Sequence, residues 1–260
     1  MKIRIIKPEE TGHAAICDEY LCTDIKSLED LFEVILELKS KYLGHTVLAT
    51  LDDLSQAQYT SMHAEMSHDL DETDGHDLSS IDSVAFEDGN HVGYLSTKSE
   101  FFIRESNFLS KATSINFLDV CRERITIDDH EISILEKIHA SPIEYIDDEI
   151  LLKVVPVQIS YLAISAFPNG YFSCDLDPFE NYALSKYLEI NYGYELFALG
   201  ASLIGFKRTR SIDDFLFEKL AQDLAKLYNR ENDKSVIENF INIIKSFDFL
   251  FLKYVEQLNF

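Results

Sequence analysis

Positive charge is the most prominent absence in this chain. Residues 42–97 contain no lysine or arginine, and the whole chain has 23 basic against 46 acidic residues, for a net charge of −23. Direct binding to nucleic acid or to anionic lipid needs a basic surface, so the composition argues against both kinds of ligand. Opposite charge speeds the association of two proteins, so a strongly acidic chain is suited to a basic protein partner.

Cysteine, glycine, proline and long apolar runs are also scarce. The four cysteines (Cys17, Cys22, Cys121 and Cys174) have no Cys-x-x-Cys spacing, which predicts free thiols in a reducing compartment. No segment offers the roughly 18 uninterrupted apolar residues of a membrane span. The N-terminus, MKIRIIKPEE, lacks the apolar run of a signal peptide. We therefore expect a cytoplasmic protein that makes no membrane contact.

The stretch without basic residues is itself strongly acidic, with eleven carboxylates and five of the eight histidines. Such a block repels itself, so it indicates a cationic partner, a bound cation or a solvated, mobile loop. The acidic part is centred on a predicted loop at about residues 66–92. The predicted partner-binding residues are Asp69, Asp71, Glu72, Asp74, Asp77, Asp82, Glu87 and Asp88.

A metal site is the weaker interpretation of the same loop, with His68, Asp74 and His76 as candidate ligands. Dense carboxylates and imidazoles could coordinate a divalent cation. A calcium loop starting at Asp69 would need glycine at its sixth position, where Asp74 stands, and glutamate at its twelfth, where Ser80 stands. The loop therefore matches no known ligand spacing, and the sequence predicts no metal.

Neither a cofactor nor a catalytic residue is predicted from the other motifs. The small-residue stretch 200–205 lacks the spacing of a phosphate-binding loop or of a nucleophile elbow. Cys174 precedes a predicted helix start, where a thiol pKa can be lowered. Asp177 and Glu180 are fully explained there as a helix-capping pair. An enzyme based on Cys174 or on a bound cation is therefore the alternative and not the leading hypothesis.

Short polar residues followed three positions later by a carboxylate predict five helix starts. Between them lies a strand–helix–strand pattern: a strand at 150–161, a short strand at 171–174, a helix capped by Asp177 and a strand at 195–207. This pattern predicts an α/β or α+β fold, with a modest mixed sheet and flanking helices. The boundary predicted at Ser141-Pro142 separates an N-terminal α/β region (1–142), which holds the acidic loop, from a C-terminal region (143–260). The five predicted pairs are Ser27/Asp30, Thr126/Asp129, Asp177/Glu180, Ser211/Asp214 and Ser235/Glu238.

Two terminal helices are predicted after this module, the second a long apolar one from Val236 to Leu258. Apolar residues recur on two of its sides, which is typical of a helix buried in a core or at an oligomer interface. The long helix is therefore also a candidate surface for a homo-oligomer.

One part of the chain, about residues 168–207, resembles a bacterial domain family of unknown function. The likeness rests on Gly170, Tyr171 and Cys174, then a helix, then Tyr192-Gly193-Tyr194-Glu195-Leu196. The family has a Gly-Gly-Trp-Asn-x-Cys-Pro turn, a helix and a Tyr-Gly-Ala-Glu strand start. This chain departs from it in having no tryptophan and in having Asp175 where the family has proline. The resemblance implies a fold type and a bacterial source and assigns no activity.

The leading hypothesis is therefore an acidic cytoplasmic binding module that recognises or neutralises a basic protein. Immunity proteins against nuclease toxins and mimics of nucleic acid use this charge logic, in which carboxylates occupy sites meant for phosphates. The alternatives are the cation-dependent or cysteine-based enzyme and a structural subunit of a homo-oligomer.

Overall fold

A computed structural model describes residues 1–7, 15–122 and 124–258 of the chain. The strands are β1 (Lys2–Ile5), β2 (Asp18–Thr23), β3 (Thr46–Ala49), β4 (Phe86–Glu87), β5 (Asn90–His91), β6 (Glu149–Val155), β7 (Tyr194–Leu199), β8 (Leu203–Arg208) and β9 (Phe249–Lys253). The helices are α1 (Leu28–Lys41), α2 (Leu54–Ser67), α3 (Phe101–Ala112), α4 (Phe117–Val120), α5 (Asp129–Ala140), α6 (Pro178–Tyr192), α7 (Asp214–Leu227) and α8 (Lys234–Ser246). Short 3-10 turns occur at Ser83–Ala85, Lys98–Glu100, Pro142–Glu144 and Ser160–Ala166.

Seven of these strands form one mixed sheet in the order β1-β2-β6-β3-β7-β8-β9, and β4 and β5 form a separate hairpin. β6 lies between β2 and β3 and is antiparallel to both, whereas β3 and β7 are parallel. Six of the seven residues of β6 are buried or half-buried, as expected of a central strand covered on both faces. Strands from either side of residue 142 therefore alternate within a single sheet.

The fold class predicted from the sequence is confirmed, since helices flank a mixed sheet. Helix α1 packs on β3, α6 on β7 and α5 on β9. Two predicted helix starts are correct, because Ser27 accepts a hydrogen bond from the Asp30 amide and Asp177 forms a capping box with Glu180. Three are wrong by two residues, since the capping side chains are those of Asp128, Asp213 and Asp233. In each case an aspartate close to the predicted cap takes its place.

The long C-terminal helix predicted from Val236 to Leu258 is wrong. Helix α8 ends at Ser246, and Phe249–Lys253 forms the edge strand β9, antiparallel to β8. All five residues of β9 are buried, so the apolar pattern on two sides belonged to an amphipathic helix followed by a fully buried strand. The backbone of this apolar segment gains its hydrogen bonds from β8. The surface predicted for a homo-oligomer is therefore helical only as far as Ser246, and most of its apolar residues lie in the core of this chain.

The strand–helix–strand module also differs in detail from the prediction. The first strand, β6, ends at Val155 and is followed by a 3-10 turn at Ser160–Ala166. Residues 171–174 form turns and no strand. The last predicted strand is a hairpin, β7 and β8, which turns at residues 200–202. Among the residues that the structure describes, no helix combines the length and the apolarity that crossing a bilayer requires.

Candidate partner-binding surface

The acidic segment, residues 66–92, is held to the body of the protein by a buried arginine. The Nη1 atom of Arg104, on α3, lies 2.6 Å from Oε1 of Glu65, and its Nη2 atom donates to Oδ2 of Asp71 at 2.8 Å. Burial alone would lower the pKa of Arg104, but the two carboxylates raise it overall. The guanidinium therefore remains charged and fixes the start of the segment.

A second anchor lies just after the segment, where Glu100 is fully buried. Its Oε2 atom accepts hydrogen bonds from the amides of Ser96, at 2.9 Å, and Thr97, at 2.7 Å. Its Oε1 atom lies 2.6 Å from Nε2 of His91. Burial would raise the pKa of Glu100, but His91 and these donors together lower it. The carboxylate is thus an ionised cap that holds the end of the segment.

Between these anchors the segment is packed against the core. Leu70, Ile81 and Ala85 are buried. The Nε2 atom of His76 lies 2.8 Å from Oδ1 of Asn107, whose Nδ2 atom donates to the carbonyl of Leu70. The segment is therefore an ordered part of the fold, unlike the mobile loop that the sequence left open.

In this anchored segment, seven of the eight predicted partner-binding carboxylates are exposed. Asp71 is the exception, since it is half-buried and bound by Arg104. The exposed residues are Asp69, Glu72, Asp74, Asp77, Asp82, Glu87 and Asp88. The structure thus places most of the predicted set at the surface.

The candidate metal ligands are not brought together. The ring of His68 packs on Phe179, with centroids 4.8 Å apart, and burial lowers its pKa. His76 binds Asn107, and Asp74 is exposed. Within the described ranges, the structure contains no group of three His, Cys, Asp or Glu residues that could hold a metal ion.

A second acidic region lies at the carboxyl ends of the parallel strands β3 and β7, where α/β sheets commonly place their sites. It is an open cleft of about 610 Å³. Among the described residues that line it, none is basic. Its carboxylates belong to Asp52, Asp53, Glu144, Asp147, Asp175 and Glu256.

Most of the cleft carboxylates are occupied by hydrogen bonds from the backbone. Asp52 accepts from the amides of Ser202, at 2.8 Å, and Leu203, at 3.1 Å, and also from the Ser202 hydroxyl. Burial raises the pKa of Asp52, and these donors offset part of that shift. A Cβ atom on Gly200 would lie 2.1 Å from Oδ1 of Asp52, so this close approach requires glycine.

Three further carboxylates of the cleft also accept hydrogen bonds from backbone amides. Asp147 accepts from the amide of Leu54 at 2.9 Å, and Asp53 caps α2 from a left-handed conformation with φ of 39°. Asp175 accepts from the amide of Glu256 at 3.0 Å. Asp52, Asp147 and Asp175 therefore connect separate segments of the chain around the cleft, whereas Asp53, Glu144 and Glu256 are exposed.

Cys174 lacks the surroundings of a nucleophile. It is exposed as a residue, but partial desolvation of the sulfur, together with the negative charges of Asp175 and Glu256, raises its pKa. His139 is buried, and its Nε2 atom accepts from the amide of Phe251 at 2.9 Å. Burial lowers the pKa of His139 to about 4. His139 therefore stabilises the core and is not available as a general base for Cys174. The geometry gives Cys174 no support as a catalytic residue.

The outer face of α2 is a feature that the sequence reasoning missed. The helix buries small or polar residues (Ala57, Thr60, Ser61 and Ala64). It exposes Tyr59, Met62 and Met66, at 48%, 47% and 67% of their full areas. In the sequence, these three residues have the spacing of one helix face. A face that packs on the core has the same spacing, so only the structure shows that this face is exposed.

Comparison with known protein families, with curated proteins and with solved structures finds no match for this chain. The resemblance of residues 168–207 to a bacterial family therefore stays a prediction.

Proposed function

We propose that this protein is an acidic binding module that recognises a basic protein through the exposed carboxylates of the acidic segment. The observation that carries the proposal is a contrast within the segment. Its ends are fixed by Arg104 and Glu100, while seven of its carboxylates remain exposed. A partner would meet charges that are already ordered, so binding would cost little conformational entropy.

The charge pattern supports a protein partner that itself binds anions. Lys98, the first basic residue after the segment, has its Nζ atom bound by Asp18, so it does not neutralise the exposed carboxylates. Carboxylates in an ordered array can occupy positions that phosphates would take on a basic protein. A nuclease or another nucleic-acid-binding protein, neutralised by this module, fits that chemistry.

The proposal includes a cytoplasmic location. All four cysteines, each of which lies in the described part of the chain, are unpaired. Unpaired thiols are typical of a reducing compartment.

The test is a titration of a nona-arginine peptide by calorimetry at several salt concentrations. A variant with five neutralised carboxylates (Asp69→Asn, Asp74→Asn, Asp82→Asn, Glu87→Gln and Asp88→Asn) removes exposed charge and leaves the anchors intact. We expect it to weaken binding about tenfold, and salt to weaken binding to the wild-type protein.

The matched control neutralises five exposed carboxylates elsewhere, so that both variants have the same net charge. It consists of Glu33→Gln, Glu37→Gln, Glu136→Gln, Glu218→Gln and Glu238→Gln. We expect less than about a threefold loss in this control, because the peptide should contact the acidic segment. Equal losses in the two variants would show that binding follows net charge alone and would contradict the proposal.

A further inference from the structure

An exposed apolar strip links the two acidic regions of the molecule. Ring centroids of Tyr59 and His63 are 4.3 Å apart, those of His63 and Tyr171 are 5.0 Å apart, and those of Tyr171 and Phe172 are 5.5 Å apart. Tyr171 and Phe172 are exposed by 40% and 45%. The apolar strip consists of the exposed side chains of Tyr59, Met62, Met66, Tyr171 and Phe172 and of the half-buried ring of His63, which joins Tyr59 to Tyr171.

The strip reaches the acidic cleft at one end and the acidic segment at the other. Phe172 lines the cleft, as does Gln56 in the first turn of α2. Met66 lies in the last turn of α2, next to the start of the exposed carboxylates at Asp69. A helix of this length spans about 21 Å, at 1.5 Å per residue. Exposed apolar side chains therefore lie between carboxylates at both ends of α2.

Helix α2 is inverted relative to an ordinary surface helix, which buries its large apolar side chains and exposes its polar ones. Here the large side chains of Tyr59, Met62 and Met66 face solvent. Contiguous exposed apolar surface marks interaction sites, and methionine adapts well to the shape of a partner. This face is therefore suited to packing against something other than its own core.

Charge decides which partner suits the strip. Residues 42–97 provide no basic side chain. Two basic residues contact residues that line the cleft, and both are already paired with carboxylates. Arg124 donates to the carbonyl of Asp175 but pairs with Glu180 at 2.7 Å, and Lys253 is buried on Glu131. A second copy of this chain would bring like charge to like charge, whereas a basic segment would be attracted at both ends.

We propose that the apolar strip docks an amphipathic segment of the partner protein, with apolar side chains on the strip. Lysines or arginines of that segment would reach the acidic segment and the exposed carboxylates that line the cleft, which are those of Asp53, Glu144 and Glu256. This inference rests on the proposed function and specifies where the basic partner makes its apolar contact. Apolar side chains seated centrally with charged groups around them form the usual anatomy of a binding hot spot.

Methionine provides a direct probe, because the chain has only three and two of them lie in the strip. Met1, the third, is exposed at the N-terminus and serves as an internal reference. The protein is labelled with ¹³C at the methionine methyl groups and titrated with a peptide of about 15 residues. The peptide contains lysines and leucines, with the leucines at helical spacing. A second peptide has the same lysines, with serine in place of leucine.

We expect the leucine peptide to shift the methyl signals of Met62 and Met66 but not that of Met1, and to bind about tenfold more tightly than the serine peptide. A strip variant, Tyr59→Gln with Met62→Gln and Met66→Gln, should lose that tenfold preference while keeping its binding of the serine peptide. The matched control removes three exposed apolar side chains from other helices: Leu36→Gln, Ile190→Gln and Phe215→Gln. This control should keep the preference.

The outcomes separate this inference from the proposed function. Equal binding of both peptides, or a preference that survives in the strip variant, would overturn the docking strip and leave the acidic module standing. If neither peptide bound in a salt-sensitive manner, both the acidic module and the docking strip would be overturned. Methyl shifts that depend on protein concentration without peptide, with a dimer in light scattering, would assign the strip to a second copy and overturn the inference.

Discussion

The acidic segment and the acidic cleft contain the same chemical group in two different situations. In the cleft, Asp52, Asp147 and Asp175 each accept hydrogen bonds from backbone amides of another loop. In the segment, Asp74 and Asp88 are exposed to solvent. The density of carboxylates is therefore a poor guide to binding. The two regions differ in where the donors lie, because Glu72 and Asp77 of the segment accept from amides one or two positions along the chain, whereas these three cleft carboxylates accept from distant segments.

The pKa shifts follow the same division. Burial raises the pKa of Asp52 and of Asp175, and the donors around them offset the shift only in part. Around Glu100 the balance is reversed, because His91, Ser96 and Thr97 outweigh burial and lower the pKa. The cleft thus holds carboxylates that burial disfavours as anions, whereas the segment is anchored by one that its donors favour as an anion.

The largest effect is expected from the anchor of the segment. Replacement Arg104→Met would leave Glu65 and Asp71 without their buried cation. Both carboxylates are partly exposed, so we expect a loss of about 3 kcal/mol in the free energy of unfolding, near the lower end for a broken buried pair. Urea unfolding measures this loss.

Hydrogen exchange locates the effect of the same change. In Arg104→Met, amides of residues 68–80 should exchange faster, while the amides of Ser202 and Leu203 in the cleft keep their protection. Arg104→Lys serves as a control that keeps the charge but cannot bind both carboxylates with a planar group. Unchanged exchange in the segment would show that Arg104 does not hold it in place.

A smaller loss of stability is expected from the cleft. Asp52→Ala removes the acceptor of two backbone amides and one hydroxyl. These three donors, on Ser202 and Leu203 where β8 begins, would be left without a partner. We expect a loss of about 2 kcal/mol in urea unfolding. The matched change in the segment, Asp74→Ala, should stay within about 0.5 kcal/mol, because that side chain is exposed. Equal losses at the two positions would remove the distinction between the regions.

The sequence predicted those parts of the fold that depend on short-range patterns. Helix α6 begins as expected, because Asp177, Pro178 and Glu180 together specify a helix start. Residues 247–258 were predicted incorrectly, since a continuous apolar run suits a buried strand as well as a helix. The strand forms because the edge of β8 offers backbone hydrogen bonds to residues 249–253, and this edge is not visible in the local sequence.

Of the candidate site, the sequence predicted the exposed carboxylates but neither their anchor nor the cleft. The exposure of carboxylates such as Asp74 followed from their density in the sequence. The anchor Arg104 lies 33 positions from Asp71, and no local pattern connects them. The cleft was out of reach for the same reason, because the structure assembles it from segments as distant as Asp52 and Glu256. Long-range pairing of this kind is fixed by the packing of the whole fold.

The smallest effect, and the sharpest test of the comparison, is the response of the two regions to acid. The pKa of Glu100 is lowered from its ordinary value of 4.5, so its stabilisation is present above that pH and is lost as the pH falls through the folded-state pKa. The pKa of Asp52 is raised from 3.8, so the folded state retains a proton that the unfolded state releases. Stability from Asp52 therefore increases as the pH falls toward 3.8.

Amide exchange between about pH 5 and pH 3, corrected for intrinsic rates, measures both responses in one experiment. The amides of Ser96 and Thr97, which donate to Glu100, should lose protection as the pH falls. Those of Ser202 and Leu203, which donate to Asp52, should keep or gain it. In Glu100→Gln the pH dependence of the first pair should vanish and that of the second pair persist. A parallel loss at both pairs would mean that the two regions open together, and the anchored segment would then not be an independent part of the fold.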